Sequence, residues 1–130
     1  MINKITIIAV SEKGKELAER ISRYYDEVTI SRLAEVEKAF SCSDALIFIG
    51  ALGICVRSIA PYIQDKHTDP AVVCIDTTGK QVISVLSGHV GGANELTVSL
   101  ARLLSAEPVI TTQSDNIGLW ALDTLPEKYD

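Results

Sequence analysis

The chain has 130 residues, of which 47% are hydrophobic and 5% aromatic, and it carries a formal net charge of -5. This length is typical of one domain with a single core, which must be built mainly from Ile, Val, Leu and Ala. The longest uncharged apolar stretch, residues 45–56, is too short to span a bilayer. Since the sequence also has no basic cluster and no signal-peptide pattern, we expect a cytoplasmic protein with neither a membrane nor a nucleic-acid partner.

The cysteines and histidines form no pattern typical of a disulfide framework or a metal site. Cys42, Cys55 and Cys74 are widely spaced in apolar surroundings, which predicts buried, reduced thiols. His67 and His89 are far apart and have no cysteine or carboxylate partners at matched spacing. We therefore expect no metal ligands in the polypeptide.

Strand and helix patterns alternate in the first part of the chain. Residues 2–10 are rich in Ile and Val and predict a strand, after which Ser11 is placed to cap an amphipathic helix. Residues 25–30 predict a short strand, and Ser31 is the predicted cap of a second helix. Residues 45–49 predict a fully buried strand.

The middle of the chain combines a third helix with a pair of strands. Residues 50–53 open an apolar helix that Pro61 should end or kink, and the polar residues 64–70 predict a loop. Residues 71–76 and 81–86 are β-rich runs separated by a glycine-containing connection of hairpin length. This spacing predicts an antiparallel pair.

A glycine-rich stretch precedes the last predicted elements. Residues 87–92 lead into an amphipathic helix, and residues 108–111 predict a final strand. The whole pattern predicts a three-layer αβα sandwich with a mainly parallel sheet and one antiparallel hairpin, formed by residues 1–115. We interpret residues 116–130, where the pattern weakens, as a tail or a linker toward an absent C-terminal region.

Three polar or glycine-rich segments follow predicted strands, at residues 50–53, 87–94 and 111–115. Ligands of open parallel sheets bind at the carboxyl ends of the strands. We therefore expect these three segments to converge around one cleft.

The most glycine-dense of these segments surrounds His89. Gly88, Gly91 and Gly92 allow the backbone to approach a ligand closely, and the following helix begins with unpaired N–H groups. A neutral imidazole there can accept a proton from water while the N–H groups hold an oxyanion. The side chains placed to orient the imidazole are Ser87, Asn94 and Glu95. A tight strand-to-helix turn, with His89 hydrogen-bonded locally, explains the same pattern equally well.

The other two segments offer binding groups, each with a structural alternative. Gly50 and Gly53 resemble a shortened dinucleotide fingerprint, and Arg57 one turn later can either meet a carboxylate or cover apolar neighbours. Polar side chains crowd the last predicted strand end, at Thr111, Thr112 and Asp115. Caps or turns are the common alternative there. No lysine of a Walker loop is present, so a nucleotide-binding domain is a weaker interpretation, which thermal shifts with nucleotides would test.

Four stretches occur in a characteristic order: Phe48 to Arg57, Lys66 to Val73, Leu86 to Leu96, and Val109 to Asp115. Together they closely resemble the CbiG family of cobalamin-biosynthesis proteins, over roughly residues 45 to 123. The block Ser-Gly-His-Val-Gly-Gly-Ala-Asn-Glu-Leu is the most specific of them. Residues 1–44 match the family only in general pattern.

The resemblance implies cobalt-precorrin-5A hydrolase activity, in which a δ-lactone on the contracting corrin ring is opened and a two-carbon fragment leaves as acetaldehyde. It also implies no cofactor of the polypeptide's own, because cobalt arrives chelated in the substrate. From the chemistry of the motif we assign His89 as the base and the amides of Gly91 to Asn94 as oxyanion donors. The candidate cations for the substrate's acetate and propionate groups are Arg57, Lys66 and Lys80.

Members of the family usually continue into a further C-terminal domain. The partners implied are therefore the cobalt-containing tetrapyrrole, that missing domain and other enzymes of cobalamin biosynthesis. The alternative is a non-catalytic domain that binds the tetrapyrrole or docks it for another enzyme. Substrate affinity without turnover would favour this alternative.

Overall fold

A computed structural model describes residues 2–87 and 91–112, which form a six-stranded sheet with helices on both faces. The strands are β1 Lys4–Ala9, β2 Glu27–Ser31, β3 Ala45–Ile49, β4 Ala71–Ile75, β5 Gln81–Leu86 and β6 Glu107–Val109. The α-helices are α1 Glu12–Ser22, α2 Val36–Cys42, α3 Leu52–Ile59 and α4 Ala93–Leu104. Within the described ranges, no helix is both long and apolar enough to cross a membrane.

The strand order is β2-β1-β3-β4-β5-β6, which confirms the predicted α/β sandwich. Strands β1 to β4 run parallel to one another. Strand β5 folds back antiparallel to β4, as the hairpin spacing predicts. Strand β6 pairs parallel with β5 and therefore also runs against β1 to β4.

Because of this reversal, each edge of the sheet is formed by the beginnings of some strands and the ends of others. At what we call the amino edge, β1, β3 and β4 begin while β5 and β6 end. At the carboxyl edge, β1, β3 and β4 end while β5 begins. A loop that follows β3 and a loop that follows β5 consequently lie at opposite edges of the sheet.

Two apolar cores lie on the two faces of the sheet. Helices α1 and α4 cover one face with side chains such as Ile21 and Leu100, and α2 and α3 cover the other with Phe40 and Ile59. Every residue of β3 and β4 is buried, as expected of central strands that are covered on both sides. The central strands therefore anchor both layers of helices.

Of the two helix caps predicted from the sequence, one is confirmed and one was wrong. The Ser11 hydroxyl accepts a hydrogen bond from the Gly14 N–H at 3.0 Å, which confirms it as the cap of α1. Ser31 instead ends β2, and a short 3₁₀ turn from Leu33 leads into α2. The Arg32 N–H donates to the Glu35 carboxylate at 3.1 Å, so this acidic side chain satisfies the helix entry in place of Ser31.

The three thiols differ in exposure. Cys55 and Cys74 are buried, as predicted, but Cys42 is exposed because it is the last residue of α2. The hydrogen bond with Cys74 and burial both raise the pKa of the Cys55 thiol, which keeps it protonated. The Cys74 thiol also donates to the Gly50 carbonyl oxygen at 3.3 Å, so this pair packs the base of the loop after β3.

Candidate functional site

The predicted motif begins with a tight turn from β5 into α4. Ser87 follows β5 with a φ of 58°, in the left-handed region that non-glycine residues rarely adopt. Its carbonyl oxygen accepts hydrogen bonds from the N–H groups of Gly91 at 3.1 Å and Ala93 at 3.2 Å. These two bonds hold the unusual backbone of Ser87 against the first turn of α4.

Two glycines are required by the close packing of this turn. A Cβ atom at Gly91 would lie 2.7 Å from the Ser87 Cβ and 3.0 Å from the Ser87 carbonyl oxygen, which leaves no room for a side chain. Gly92 is the N-cap residue of α4 and has a φ of 87°, which favours glycine. The turn alone thus accounts for both glycines, as the structural alternative for this segment anticipates.

Asn94 connects the motif to both neighbouring strands. The Ser84 hydroxyl on β5 donates to the Asn94 side-chain oxygen at 2.7 Å, and the Asn94 side-chain nitrogen donates to the Thr112 hydroxyl at 2.7 Å. The amide therefore bridges α4 to β5 and to the segment after β6. Thr112 and its exposed neighbour Thr111 consequently lie beside the motif, as predicted.

Asp69 lies next to the turn, and sequence reasoning missed it as a site residue. It is 9% exposed, and its carboxylate accepts a hydrogen bond from the Gln64 N–H at 2.9 Å. The Ser87 hydroxyl lies 3.5 Å from the Asp69 carbonyl oxygen, at the long limit of a hydrogen bond. The available signal was its place in the Lys66 to Val73 stretch, which carries the family resemblance but was interpreted as a loop.

A cavity of about 360 Å³ opens at the amino edge beside Asp69. Its other lining residues include Phe40, Ser43, Tyr62, Gln64 and Thr68. Asp69 thus borders the cavity and approaches the motif turn through its main-chain carbonyl oxygen, and its buried carboxylate is placed to orient water or a polar group of a ligand.

The three loops predicted to converge do not do so. Gly50 lies at the carboxyl edge, where its N–H donates to the Ile75 carbonyl oxygen at 3.0 Å. Ser87, Asn94 and Thr112 lie at the amino edge instead. The expectation was wrong because β5 and β6 run against β3, so the ends of these strands open at opposite edges.

The same reversal separates the candidate cations. Arg57 is exposed in the last turn of α3, a helix that runs away from the carboxyl edge, whereas Lys80 lies in the hairpin turn at that edge. Lys66 lies in the loop before β4, at the amino edge. Lys4 also lies at the amino edge, at the start of β1, although the sequence did not single it out.

The amides predicted to form an oxyanion site divide into two groups. Those of Gly91 and Ala93 are bonded to the Ser87 carbonyl, whereas those of Gly92 and Asn94 have no hydrogen-bond acceptor among the described residues. Glu95 is exposed in the first turn of α4. Three other predicted site residues lie outside the described residues: Gly88, His89 and Asp115.

Two carboxylates hold the chain at the opposite edges of the sheet. At the amino edge, hydrogen bonds from the N–H groups of Lys4 and Asn3, each 2.9 Å long, lower the pKa of Asp44. At the carboxyl edge, partial burial opposes ionisation of Asp76, but hydrogen bonds from the Thr78 hydroxyl and three backbone N–H groups outweigh it and lower its pKa. In residues 2–87 and 91–112, no three His, Cys, Asp or Glu side chains cluster as a metal site would require.

These features define an α/β sandwich in which a Ser-Gly-His-x-Gly-Gly sequence links the reversed strand β5 to helix α4. The family described as "Cobalamin synthesis G N-terminal" matches residues 34–115 of this sequence. The chain belongs to this family, which confirms the resemblance seen in its motifs.

Individual relatives agree with this assignment. A cobalt-precorrin-5A hydrolase of Salmonella typhimurium is 60% identical over 88 residues, which cover 68% of this chain and 25% of the relative. One of Priestia megaterium is 42% identical over 130 residues, covering 84% of this chain and 35% of the relative. The chain thus spans between a quarter and about a third of the length of these two relatives.

A solved structure shares the fold. The crystal structure of a cobalamin biosynthesis protein G homolog from Sulfolobus solfataricus superimposes with a TM-score of 0.76 at 34% sequence identity. The similarity covers 89% of this chain and 39% of that one. The sandwich therefore matches one part of a longer homologous protein.

Proposed function

We propose that this chain forms the N-terminal part of a cytoplasmic enzyme of anaerobic cobalamin biosynthesis, which hydrolyses cobalt-precorrin-5A. The observation that carries the proposal is the 60% identity over 88 residues with a relative named for this activity. The family match over residues 34–115 adds support, because it includes the whole motif turn. In this proposal residues 1–115 are one domain, and residues 116–130 lead toward a further C-terminal region.

The proposed reaction opens the δ-lactone of the substrate by addition of water. A water oxygen bonds to the lactone carbonyl carbon, the ester C–O bond breaks, and His89 transfers the water proton to the leaving alkoxide oxygen. The C–C bond that joins the hydroxyl-bearing carbon to the ring then breaks: the hydroxyl loses its proton and becomes the carbonyl of acetaldehyde, while the electron pair of the C–C bond remains on the ring. The polypeptide supplies no cofactor, since cobalt is bound in the tetrapyrrole.

The start of α4 is the proposed oxyanion site. The N–H groups of Gly92 and Asn94 belong to the first turn of this helix, where the helix dipole favours negative charge. The carbonyl oxygen of the lactone becomes negative in the transition state and would accept hydrogen bonds from these two groups. Ser87 and Asn94 act as positioning residues, because their hydrogen bonds fix the backbone that carries both donors.

Substrate binding is proposed at the amino edge alone. The net charge of -5 opposes a ligand with many carboxylates, so local cations are needed, and Lys4 and Lys66 are exposed at this edge. The cavity beside Asp69 would take one part of the ring periphery, and Thr111 and Thr112 would contact its polar groups. Gly50, Gly53 and Lys80 have no role in this version of the site, because the carboxyl edge faces away from it.

The test compares the two histidines of the sequence. The chain, supplied with the C-terminal remainder of a relative, is incubated with cobalt-precorrin-5A while acetaldehyde and the ring spectrum are monitored. His89→Ala should abolish acetaldehyde release and leave the thermal unfolding of the protein unchanged. His67→Ala is the matched control, because His67 is exposed in the loop before β4. Unchanged turnover in the His89 variant would reject this residue as the base.

A second candidate function is a non-catalytic domain that binds or docks the tetrapyrrole. It is favoured by the coverage of the relatives, since 65% of the Priestia megaterium protein lies outside the match and has room for a separate catalytic domain. In that case the chain would bind cobalt-precorrin-5A but His89→Ala would not slow turnover by the combined protein. Other enzymes of cobalamin biosynthesis would then be the partners that receive the ligand.

A further inference from the structure

Among residues 2–87 and 91–112, a helix covers strands β5 and β6 on one face only. Helix α4 packs on that face, while on the other face Ile83, Val85 and Val109 are only partly buried. Ile83 and Val109 are register partners, so they lie side by side. The helices of this second face, α2 and α3, contact β3 and β4. An apolar strip is therefore left at the reversed side of the sheet.

One flank of α3 extends this strip. Leu52 and Val56, one helical turn apart, are 42% and 45% exposed, while Cys55 and Ile59 point into the core. Because α3 runs antiparallel to β3 and β4 in a right-handed crossover, its winding turns Leu52 and Val56 toward β5. Together these side chains form one apolar surface, which we call the β5 face: Leu52, Val56, Ile83, Val85 and Val109.

The sequence that follows β6 has the composition to cover such a surface. Residues 117–125 include five large apolar side chains: Ile117, Leu119, Trp120, Leu122 and Leu125. The described chain ends at Thr112, which its hydrogen bond with Asn94 holds at the amino edge next to β6. The intervening residues 113–116 span up to about 14 Å when extended, whereas packed layers lie about 10 Å apart. The segment can therefore pass around the edge strand and reach the second face.

We propose that residues 117–125 of this same chain pack on the β5 face, as the segment that leaves the domain. A tethered segment has a high effective concentration at a surface within its reach, which favours it over a second copy or a separate partner. Burial of the apolar side chains of both surfaces drives the contact. The proposal does not depend on the hydrolase function, since it concerns the fold of the domain alone.

Trp120 provides a direct probe, because it is the only tryptophan in the sequence. In the full chain we expect its emission to be blue-shifted from that of free tryptophan amide and weakly quenched by acrylamide, at every protein concentration. Val56→Glu should shift the emission to the red and increase quenching, because it places a charge in the contact. Ile54→Glu is the matched control: Ile54 is 38% exposed on the opposite flank of the same helix, and its substitution should change neither property.

Three results would overturn the proposal. Red-shifted, readily quenched emission of the unmodified chain at all concentrations would mean that the segment does not dock. A blue shift that appears only with rising concentration, together with a dimer in size-exclusion chromatography, would assign the β5 face to a second copy. Equal responses to Val56→Glu and Ile54→Glu would place the segment elsewhere. Val109→Glu on β6 serves as a second variant if Val56→Glu loses its helical circular dichroism.

Discussion

The turns at the two edges of the sheet are stabilised in opposite ways. At the amino edge, the carbonyl oxygen of Ser87 accepts two backbone N–H groups, and Gly91 has no space for a Cβ atom. At the carboxyl edge, the Asp76 side chain accepts hydrogen bonds from the hairpin turn. The amino-edge turn therefore depends on backbone packing that tolerates no added atoms, whereas the carboxyl-edge turn depends on one replaceable carboxylate.

This contrast also separates residues by function. The amino edge combines the tight turn with a cavity, a buried carboxylate and the start of α4. The carboxyl edge has exposed apolar and glycine positions without such a combination, and Gly53 has no atom within 4 Å of the place where a Cβ would lie. Substitutions matched between the two edges can therefore distinguish a functional turn from a structural one.

The largest expected effect concerns activity. Asn94→Ala removes the bridge from α4 to Ser84 and Thr112, and the displaced donors should lower acetaldehyde release by up to about 100-fold. Lys80→Ala, in the hairpin turn at the carboxyl edge, should leave the rate unchanged. Both rates are measured with cobalt-precorrin-5A and the C-terminal remainder of a relative. A loss confined to the Lys80 variant would contradict the assignment of the site to the amino edge.

The next effect concerns stability and compares two glycines. Gly91→Ala forces a Cβ atom against Ser87 and should destabilise the protein by about 1–3 kcal/mol. Gly53→Ala adds a methyl group in open space within α3 and should stabilise it by up to about 1 kcal/mol. Urea unfolding followed by circular dichroism measures both changes. Equal midpoints for the two variants would show that the motif turn is looser than its distances indicate.

The sequence predicted the elements and the layers because its apolar runs are long and clearly bounded. Residues 45–49 and 71–75 are continuous apolar stretches, and both form fully buried strands within the predicted limits. The predicted cap of the second helix was wrong because two local signals compete there. Ser31 is a good cap residue, but its pairing with Ile8 of β1 keeps it in β2, and Glu35 caps the helix entry instead.

The site was predicted less well, for a reason of topology. The motif residues Ser87, Gly91 and Asn94 were found from their pattern, because close packing and a helix start select particular residue types. Their separation from Gly50 follows from the hairpin, which was predicted, but its consequence for the direction of β5 and β6 was not drawn. Asp69 was missed because its role depends on a contact with Ser87, which is distant in sequence.

A smaller effect concerns the carboxylate of the carboxyl-edge turn. Asp76→Asn keeps the shape of the side chain but weakens its hydrogen bonds to the Thr78, Lys80 and Gln81 N–H groups, and should cost about 1–2 kcal/mol at neutral pH. Because the folded-state pKa of Asp76 is lowered, the stabilisation is present above the unfolded pKa of about 3.9 and is lost as the pH falls through the folded value. The stabilities of variant and parent should therefore converge at acidic pH, and urea midpoints measured across that pH range test this. A constant difference between variant and parent would exclude the carboxylate as its source.

The smallest effect is expected from Asp44, the corresponding carboxylate of the amino edge. It accepts hydrogen bonds from only two N–H groups, those of Asn3 and Lys4, and it is exposed to solvent that competes for them. Asp44→Asn should therefore lower stability less than Asp76→Asn does. Since the pKa of Asp44 is also lowered, the difference in stability between variant and parent should again disappear at acidic pH. The same urea series measures it. If Asp44→Asn proved the more damaging substitution, the amino edge would depend on a side chain as well as on its backbone turn, and the contrast between the two edges would fail.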